Sequence, residues 1–222
     1  MKITKIQQQQ RAKDRYSIYV DEKYAFSVNE YQLIELKIHS GDEISQKQLD
    51  YFATESQFGK AYERTINYLM IRPRSEKEVR DYLTRTYMYP KPKSYVDKSG
   101  QRHFKKQTVD KEQIAALITR VMDRLQTKGH INDESFAKTW IESRMLHKKP
   151  SRRKLEQELT QKGVSQSIIA TQLQNFNLNE KGNLLELVNK KRKLIRYQDD
   201  TKLIAYLLRQ GFNYDDIKDA LA

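Results

Sequence analysis

Apolar residues recur at helical spacing along most of this chain, and at strand spacing only near its start. The sharpest pattern is Ser151 to Leu173, "SRRKLEQELTQKGVSQSIIATQL", which recurs without a gap 48 residues later as Asp199 to Leu221, "DDTKLIAYLLRQGFNYDDIKDAL". Leu155, Leu159, Gly163, Ile169 and Leu173 match Leu203, Leu207, Gly211, Ile217 and Leu221. Leucines four apart lay an apolar stripe on one helix face. A following glycine takes the left-handed conformation that ends a helix, and Ser165 or Asn213 then caps a second one. Each copy therefore predicts helix, tight turn, helix. A third copy lies upstream, where Ser75, Val79 and Leu83 in "SEKEVRDYL" keep the spacing and Ser75 with Glu78 forms a capping box. After Leu83 the glycine turn is replaced by an insert, Thr84 to Thr108. The pattern resumes at Val109 and Asp110, with Ile114 and Ile118 in the places of Ile169 and Leu173.

A further amphipathic segment precedes each pair. Ala61, Tyr62, Thr65, Ile66 and Leu69 mark the first, stopped at "IRPR" because a residue before proline avoids the helical region. Phe136, Ala137, Trp140, Ile141 and Met145 mark the second, capped by Asn132 and ended by Pro150, with Trp140 read as a core residue. The third is "NLLELVNKKRKLI", after Gly182. A lone helix pair cannot bury its stripe, so repeated units stack. Near the N-terminus, "KITKI", "RYSIYV" and "YAFSV" around "DEK" predict a hairpin joined to a further strand. Gln7 to Gln10 reads as a flexible connection, "NEYQLIELKI" as a short helix, and Ser45 as the cap of another. The expected fold is mainly α: tandem three-helix repeats in a curved array, with a small N-terminal β-hairpin and helix module. Its expected divisions are 1–57 for that module, 58–131 for repeat one with its insert, 132–180 for repeat two and 181–222 for repeat three.

Charge changes this picture from scaffold to surface. The 222 residues carry a net charge of +13. Residues 1–60 hold 9 basic and 9 acidic residues and residues 199–222 hold 3 and 5, so 30 basic against 15 acidic residues fall between 61 and 198. Such a balance suits a polyanionic partner. The basic residues cluster as Arg72 and Arg74 around Pro73; Lys148, Lys149, Arg152, Arg153 and Lys154 in "HKKPSRRK"; and Lys190, Lys191, Arg192 and Lys193 in "NKKRK", with Arg196. The insert adds Arg85, Lys91, Lys93, Lys98, Arg102, Lys105 and Lys106 against the single acid Asp97. Pro90 and Pro92 bar a helix there, and "SYVDKSGQRHF" has β-prone runs on either side of Ser-Gly. A projecting basic ribbon and a solvated loop both fit. In two repeats the basic run falls in the turn between first and second helices, so stacking predicts a basic stripe along one edge. Any one run also suits a solvated helix end, where cations meet the dipole. Four runs with few acids between them favour a phosphate-rich partner.

Catalytic signals are sparse. His39, His103, His130 and His147 are scattered, no glycine-rich phosphate loop appears, and acids alternate with Lys and Arg at helical spacing as in Glu76 and Arg80. No catalytic centre, metal or cofactor is expected. The chain has no cysteine, which fits a reducing cytosol. No apolar run reaches the roughly 18 residues of a membrane span.

"RPRSEKEVRDYL", "GHINDESFAKTWIESR", "KPSRRKLEQELTQKGV" and "AYLLRQGFNYDDIKDAL" together resemble the bacterial RecX family of regulatory proteins over residues 58–222. The resemblance implies a non-enzymatic, monomeric, cytoplasmic regulator of recombination in DNA repair and the SOS response. It would bind the RecA recombinase as its filament on single-stranded DNA and inhibit strand exchange and ATP turnover. Some members also bind DNA directly, so single-stranded and double-stranded DNA are further expected partners. The insert and the N-terminal β module depart from the shorter family pattern. The competing reading is a sequence-independent DNA-binding repeat protein acting without RecA, distinguished by its affinity for bare strands against coated filaments.

Overall fold

A computed structural model of the chain describes residues 1–97, 99–105, 107–176 and 178–221. These form two compact units, one of residues 1–72 and 79–130, the other of Pro73–Glu78 and the chain from Ile131 onward.

The first unit opens with an antiparallel sheet, β1 (Ile3–Gln8), β2 (Arg15–Val20) and β3 (Lys23–Asn29), in that order across the sheet. β2 and β3 turn through Asp21 and Glu22, whose φ of 47° and 66° are those a tight two-residue hairpin demands. Gln7 and Gln8, read from sequence as part of a flexible connection, instead pair with Ser17 and Tyr16. Ladder hydrogen bonds come from the backbone, so a polar run at a sheet edge can still be a strand. Asn29 caps α1 (Glu30–Glu35) and Ser45 caps α2 (Gln46–Met70), each through a capping box.

α2 is one continuous helix where the sequence suggested two segments meeting near residue 57. No proline interrupts it, and its two halves serve different cores. Leu49 and Phe52 close the sheet core of Ile3, Ile18, Val20, Phe26 and Val28, and the Ser56 hydroxyl donates to the Ser27 carbonyl at 2.6 Å. Ala61 and Thr65 are buried further along, where α2 packs on α4 (Lys111–Thr127). α4, capped by Asp110, buries Leu117, Ile118, Val121, Met122 and Leu125.

α3 (Glu76–Leu83) does not stop at the insert boundary. It runs on as a π-turn over Thr84–Met88, closed by the Tyr89 N–H on the Thr84 carbonyl at 3.3 Å. Helical winding thus invades the first five residues of the insert and ends before Pro90, which cannot continue it. β4 (Lys93–Val96) and β5 (Arg102–Lys105) then pair antiparallel, which selects the ribbon over the loop.

The second unit contains α5 (Asp133–His147), α6 (Arg152–Gln161), α7 (Gln166–Asn175), α8 (Glu180–Arg192), α9 (Asp200–Arg209) and α10 (Tyr214–Leu221). Leu155, Leu159, Ile169 and Leu173 bury against Phe136, Ala137 and Ile141. Their counterparts Leu203, Leu207 and Ile217 bury against Leu184, Leu187 and Val188. Two details of α8 differ from the sequence reading. It starts before Gly182, because the Asn179 side chain caps it by accepting the Gly182 N–H at 2.9 Å. It also ends at Arg192, with Leu194 extended and Ile195–Tyr197 in a 3-10 turn.

Both glycine turns are as the repeat requires. Gly163 has φ 82°, with the Val164 N–H on the Leu159 carbonyl at 3.1 Å; Gly211 has φ 87°, with the Phe212 N–H on the Leu207 carbonyl at 3.3 Å. These are Schellman closures that satisfy carbonyls left over at a helix end. One carbonyl in each turn is then taken by the capping serine of the preceding copy. The Ser75 hydroxyl donates to Lys162 at 2.6 Å while accepting from the Glu78 N–H at 3.2 Å. The Ser151 hydroxyl donates to Gln210 at 2.9 Å while accepting from the Lys154 N–H at 3.2 Å. Ser75 and Ser151 are buried for this reason. The repeat is thus also a hydrogen-bond repeat from one copy to the next.

Candidate functional site

The basic runs of the second unit do not form a single stripe; most of their cations divide between two grooves. One cleft, open to solvent, has Lys148, Lys149 and Lys154 on one wall and Lys190 and Lys191 on the other. Local structure sets this up. α5 ends at His147, and the Lys148 and Lys149 N–H groups both return to the Arg144 carbonyl at 2.8 and 3.0 Å. Lys149 carries φ 48°, a left-handed residue that is not glycine. Such a conformation persists only where surrounding contacts hold it. The Lys149 ammonium pairs with Glu186 of α8 across the cleft.

The acids of this cleft are already engaged. Glu186 takes Lys149. Glu158 accepts from the Arg144 guanidinium at 2.6 Å and from the Trp140 indole N–H at 2.9 Å. Trp140, expected in the core, is only partly buried; it packs against that core while the Arg144 and Lys162 cations lie 4.2 and 5.0 Å from its ring centre. An indole with a polar handle settles at such a margin rather than inside. On the opposite wall Lys191 lies 4.7 Å from the Tyr206 ring centre and 5.5 Å from that of Tyr197. Those rings hold an ammonium group without neutralising it. The cleft therefore keeps Lys148, Lys154, Lys190 and Lys191 as uncompensated positive charge, an arrangement that attracts phosphate or carboxylate oxygens.

Arg152 and Arg153 fall elsewhere, beside a second groove that also holds Glu156, Glu180 and Asp216. The Arg152 side chain is 3.2 Å from Glu156, and its backbone N–H donates to Glu180 at 2.7 Å. Arg192 pairs with Asp200 and donates to the Gln198 carbonyl at 3.0 Å. Lys193 is exposed, and Arg196 is exposed over Tyr197 at 5.8 Å. Arg72 and Arg74 are both partly buried, on either side of Pro73.

In the insert, Arg85, Lys91, Arg102 and Lys105 are exposed and Lys93 lies in β4. Lys98, Lys106 and the side chain of Lys93 lie outside the described residues. Among the described residues no cluster of His, Asp and Glu could hold a metal ion, and no helix is long and apolar enough to cross a membrane.

Sequence reasoning missed Tyr206 as a lining residue of the cleft and Tyr197 as a second ring against Lys191. Tyr197 stands beside a basic run, where it could equally have been core, and Tyr206 sits among the apolar residues of α9 and gave no signal.

Stacked three-helix units with a lysine-lined cleft between neighbouring copies define a helical repeat protein that presents cationic surface. Three family descriptions match the chain: "Regulatory protein RecX N-terminal domain" over residues 1–45, "RecX, first three-helix domain" over 61–87, and "RecX, second three-helix domain" over 132–173. A Regulatory protein RecX of Bacillus cytotoxicus is 30% identical over 227 residues, spanning 97% of this chain and 74% of that protein. One from Listeria monocytogenes serotype 4a is 28% identical over 225 residues, with 99% and 74% covered. A crystal structure of regulatory protein RecX superposes with a TM-score of 0.68 at 27% identity, covering 98% of both chains. The chain belongs to the RecX family of regulatory proteins. Its N-terminal β module, read from sequence as a departure from the family, is one of the family's own domains.

Proposed function

We propose that this protein regulates homologous recombination by binding the RecA filament on single-stranded DNA and slowing its strand exchange and ATP turnover. Family membership supplies the RecA side of this reading. The observation that carries it in this chain is the cleft whose two acids are engaged and whose lysines Lys148, Lys154, Lys190 and Lys191 are not offset. A protein filament on single-stranded DNA carries phosphates, and such a cleft suits phosphate or carboxylate oxygens.

The experiment reverses Lys148, Lys154 and Lys190 to glutamate and follows RecA ATP turnover on single-stranded DNA. Inhibition should be largely lost, and each phosphate contact removed should lower the slope of log affinity against log salt by about 0.7. Reversing Arg152 and Arg153, which lie among acids, should cost much less. Equal loss in both variants would detach the function from the cleft. The net excess of cations between residues 61 and 198 supports a second reading, direct DNA binding without RecA. Affinity for bare single strands equal to that for coated filaments would establish the second reading over the first.

A further inference from the structure

The β4–β5 ribbon carries features that a generally basic arm does not need. Its strands pair Lys93 with Lys105, Ser94 with Phe104, Tyr95 with His103, and Val96 with Arg102. Side chains alternate between faces, so Tyr95, His103 and Lys105 share one face and Ser94, Val96, Arg102 and Phe104 the other. The first face is internally organised. The Tyr95 and His103 rings stack at 5.3 Å with 24° between planes, and His103 Nε2 lies 2.6 Å from Asp97 Oδ2. The Ser99 hydroxyl and the Ser99 and Gln101 N–H groups also donate to Asp97. The ribbon's one acid is thereby spent on its own turn, its carboxyl held down to about 2 by these hydrogen bonds.

The second face is open. Phe104 is 69% exposed and Val96 60%, with small Ser94 opposite the Phe104 ring and Arg102 two residues along the same strand. The two strands pack chiefly on each other, and the Gln107 amide closes the base on the Lys91 carbonyl at 2.9 Å. Phe104 is therefore not the edge of a core.

We propose that this face binds single-stranded DNA, with a base stacked on Phe104 and the adjoining phosphate held by Arg102. An aromatic ring beside a cation on an otherwise acid-free surface is the chemistry that holds unpaired bases without reading sequence. A duplex hides its base faces, so the ring favours the single strand. A protein partner would want a broader apolar patch than one ring and one valine on a two-stranded ribbon. The proposal deepens the nucleic-acid side of the function above and rests on it, but it requires no RecA.

The test is fluorescence anisotropy of the full chain, without RecA, on labelled oligo(dT) and on an oligomer of abasic sites of equal length. Phe104→Ala should weaken oligo(dT) binding about tenfold and leave abasic binding unchanged, while Phe104→Trp should retain oligo(dT) affinity. Arg102→Glu should weaken both. Phe104 is exposed, so the variants should keep wild-type circular dichroism. Unchanged oligo(dT) affinity in Phe104→Ala, or equal loss on both oligomers, overturns the stacking assignment. If Phe104→Ala lost only filament binding, the ring would be a protein contact and the proposal wrong, while the RecA reading would stand. If cleft reversals removed RecA inhibition while Phe104→Ala still lost oligo(dT) selectively, the two interfaces would be separate and both readings would hold.

Discussion

The chain makes the same junction in two ways. After α6 and α9 it closes within a few residues on Gly163 and Gly211, whereas after α3 it overruns through a π-turn and a ribbon before α4 starts. The glycine turns are used twice: each ends its own helix and also offers a carbonyl to a buried capping serine of the preceding copy, Ser75 or Ser151. The α3 junction, which sits at the other end of that serine relay, is where 25 residues have been inserted. Conformational freedom in a repeat array thus collects where no neighbouring copy has to dock, and such a place is also free to take on binding.

The largest effect is expected where all copies share one feature, the buried apolar stripe. Leu159→Ala or Leu207→Ala removes a fully buried side chain from its cluster, and each should lower the unfolding free energy by about 2 to 5 kcal/mol. Denaturant titration checks this. A loss under about 1 kcal/mol would mean the stripe is not carrying the fold.

A sharper probe separates the two glycine turns. Any side chain at either position is strained by the positive φ, at a cost of about 1 to 2 kcal/mol. The surroundings differ, however. A Cβ on Gly163 would lie 2.6 Å from the Lys77 Cβ, an atom fixed to the α3 backbone, whereas one on Gly211 would crowd the Ser151 hydroxyl, which can rotate, and lie 3.1 Å from the Lys154 backbone nitrogen. Gly163→Ala should therefore cost more than Gly211→Ala by thermal melting. The reverse order would mean that α3 gives way more readily than the buried Ser151 hydrogen bond.

The tolerant junction predicts a small effect. Replacing Pro90–Lys106 by a short glycine-containing turn removes the ribbon but leaves the π-turn and the Asp110 cap of α4 in place. Shortening a loop by half changes closure entropy by only about 0.6 kcal/mol. Stability should stay within about 1 kcal/mol of wild type, while affinity for oligo(dT) falls. A variant that fails to fold would show the ribbon to be structural.

Much of this was legible in the sequence, for a physical reason. A four-residue leucine spacing and a glycine four residues past the second leucine are local signals, and Leu155, Leu159, Gly163 and their counterparts fell where they were expected. The unity of α2 was not legible, because helix continuity there depends on which core each half meets, a non-local fact. The basic site was half legible: cation counts are read directly, but whether a cation is offset depends on distant partners. Arg152 next to Glu156 and Lys148 without such a neighbour look alike in a run of "HKKPSRRK". The serine relay was invisible in the same way, since Ser75 and Ser151 looked like ordinary caps.

The smallest effect tests how α3 is seated. Asp133, the first residue of α5, accepts the Glu76 N–H at 2.8 Å and so serves the first turn of α3. Burial raises its carboxyl above the ordinary value, opposed by that hydrogen bond and assisted by the charge of Glu76. A raised folded-state value means the folded protein binds this proton more tightly than the unfolded chain does. Ionised Asp133 therefore subtracts from stability above its folded value, and the subtraction disappears as pH falls below the ordinary carboxylate range. Asp133→Asn keeps an oxygen for the Glu76 N–H and removes the charge. Because the group is half exposed and screened, the gain at neutral pH should be only a few tenths of a kcal/mol, shrinking towards zero in acid. Asp133→Ala loses the acceptor as well and should be less stable than Asp133→Asn throughout. If Asp133→Asn were instead less stable than wild type at neutral pH, the carboxylate charge itself would be holding the helix N-terminus, and attraction to the N–H dipoles would outweigh the cost of burial.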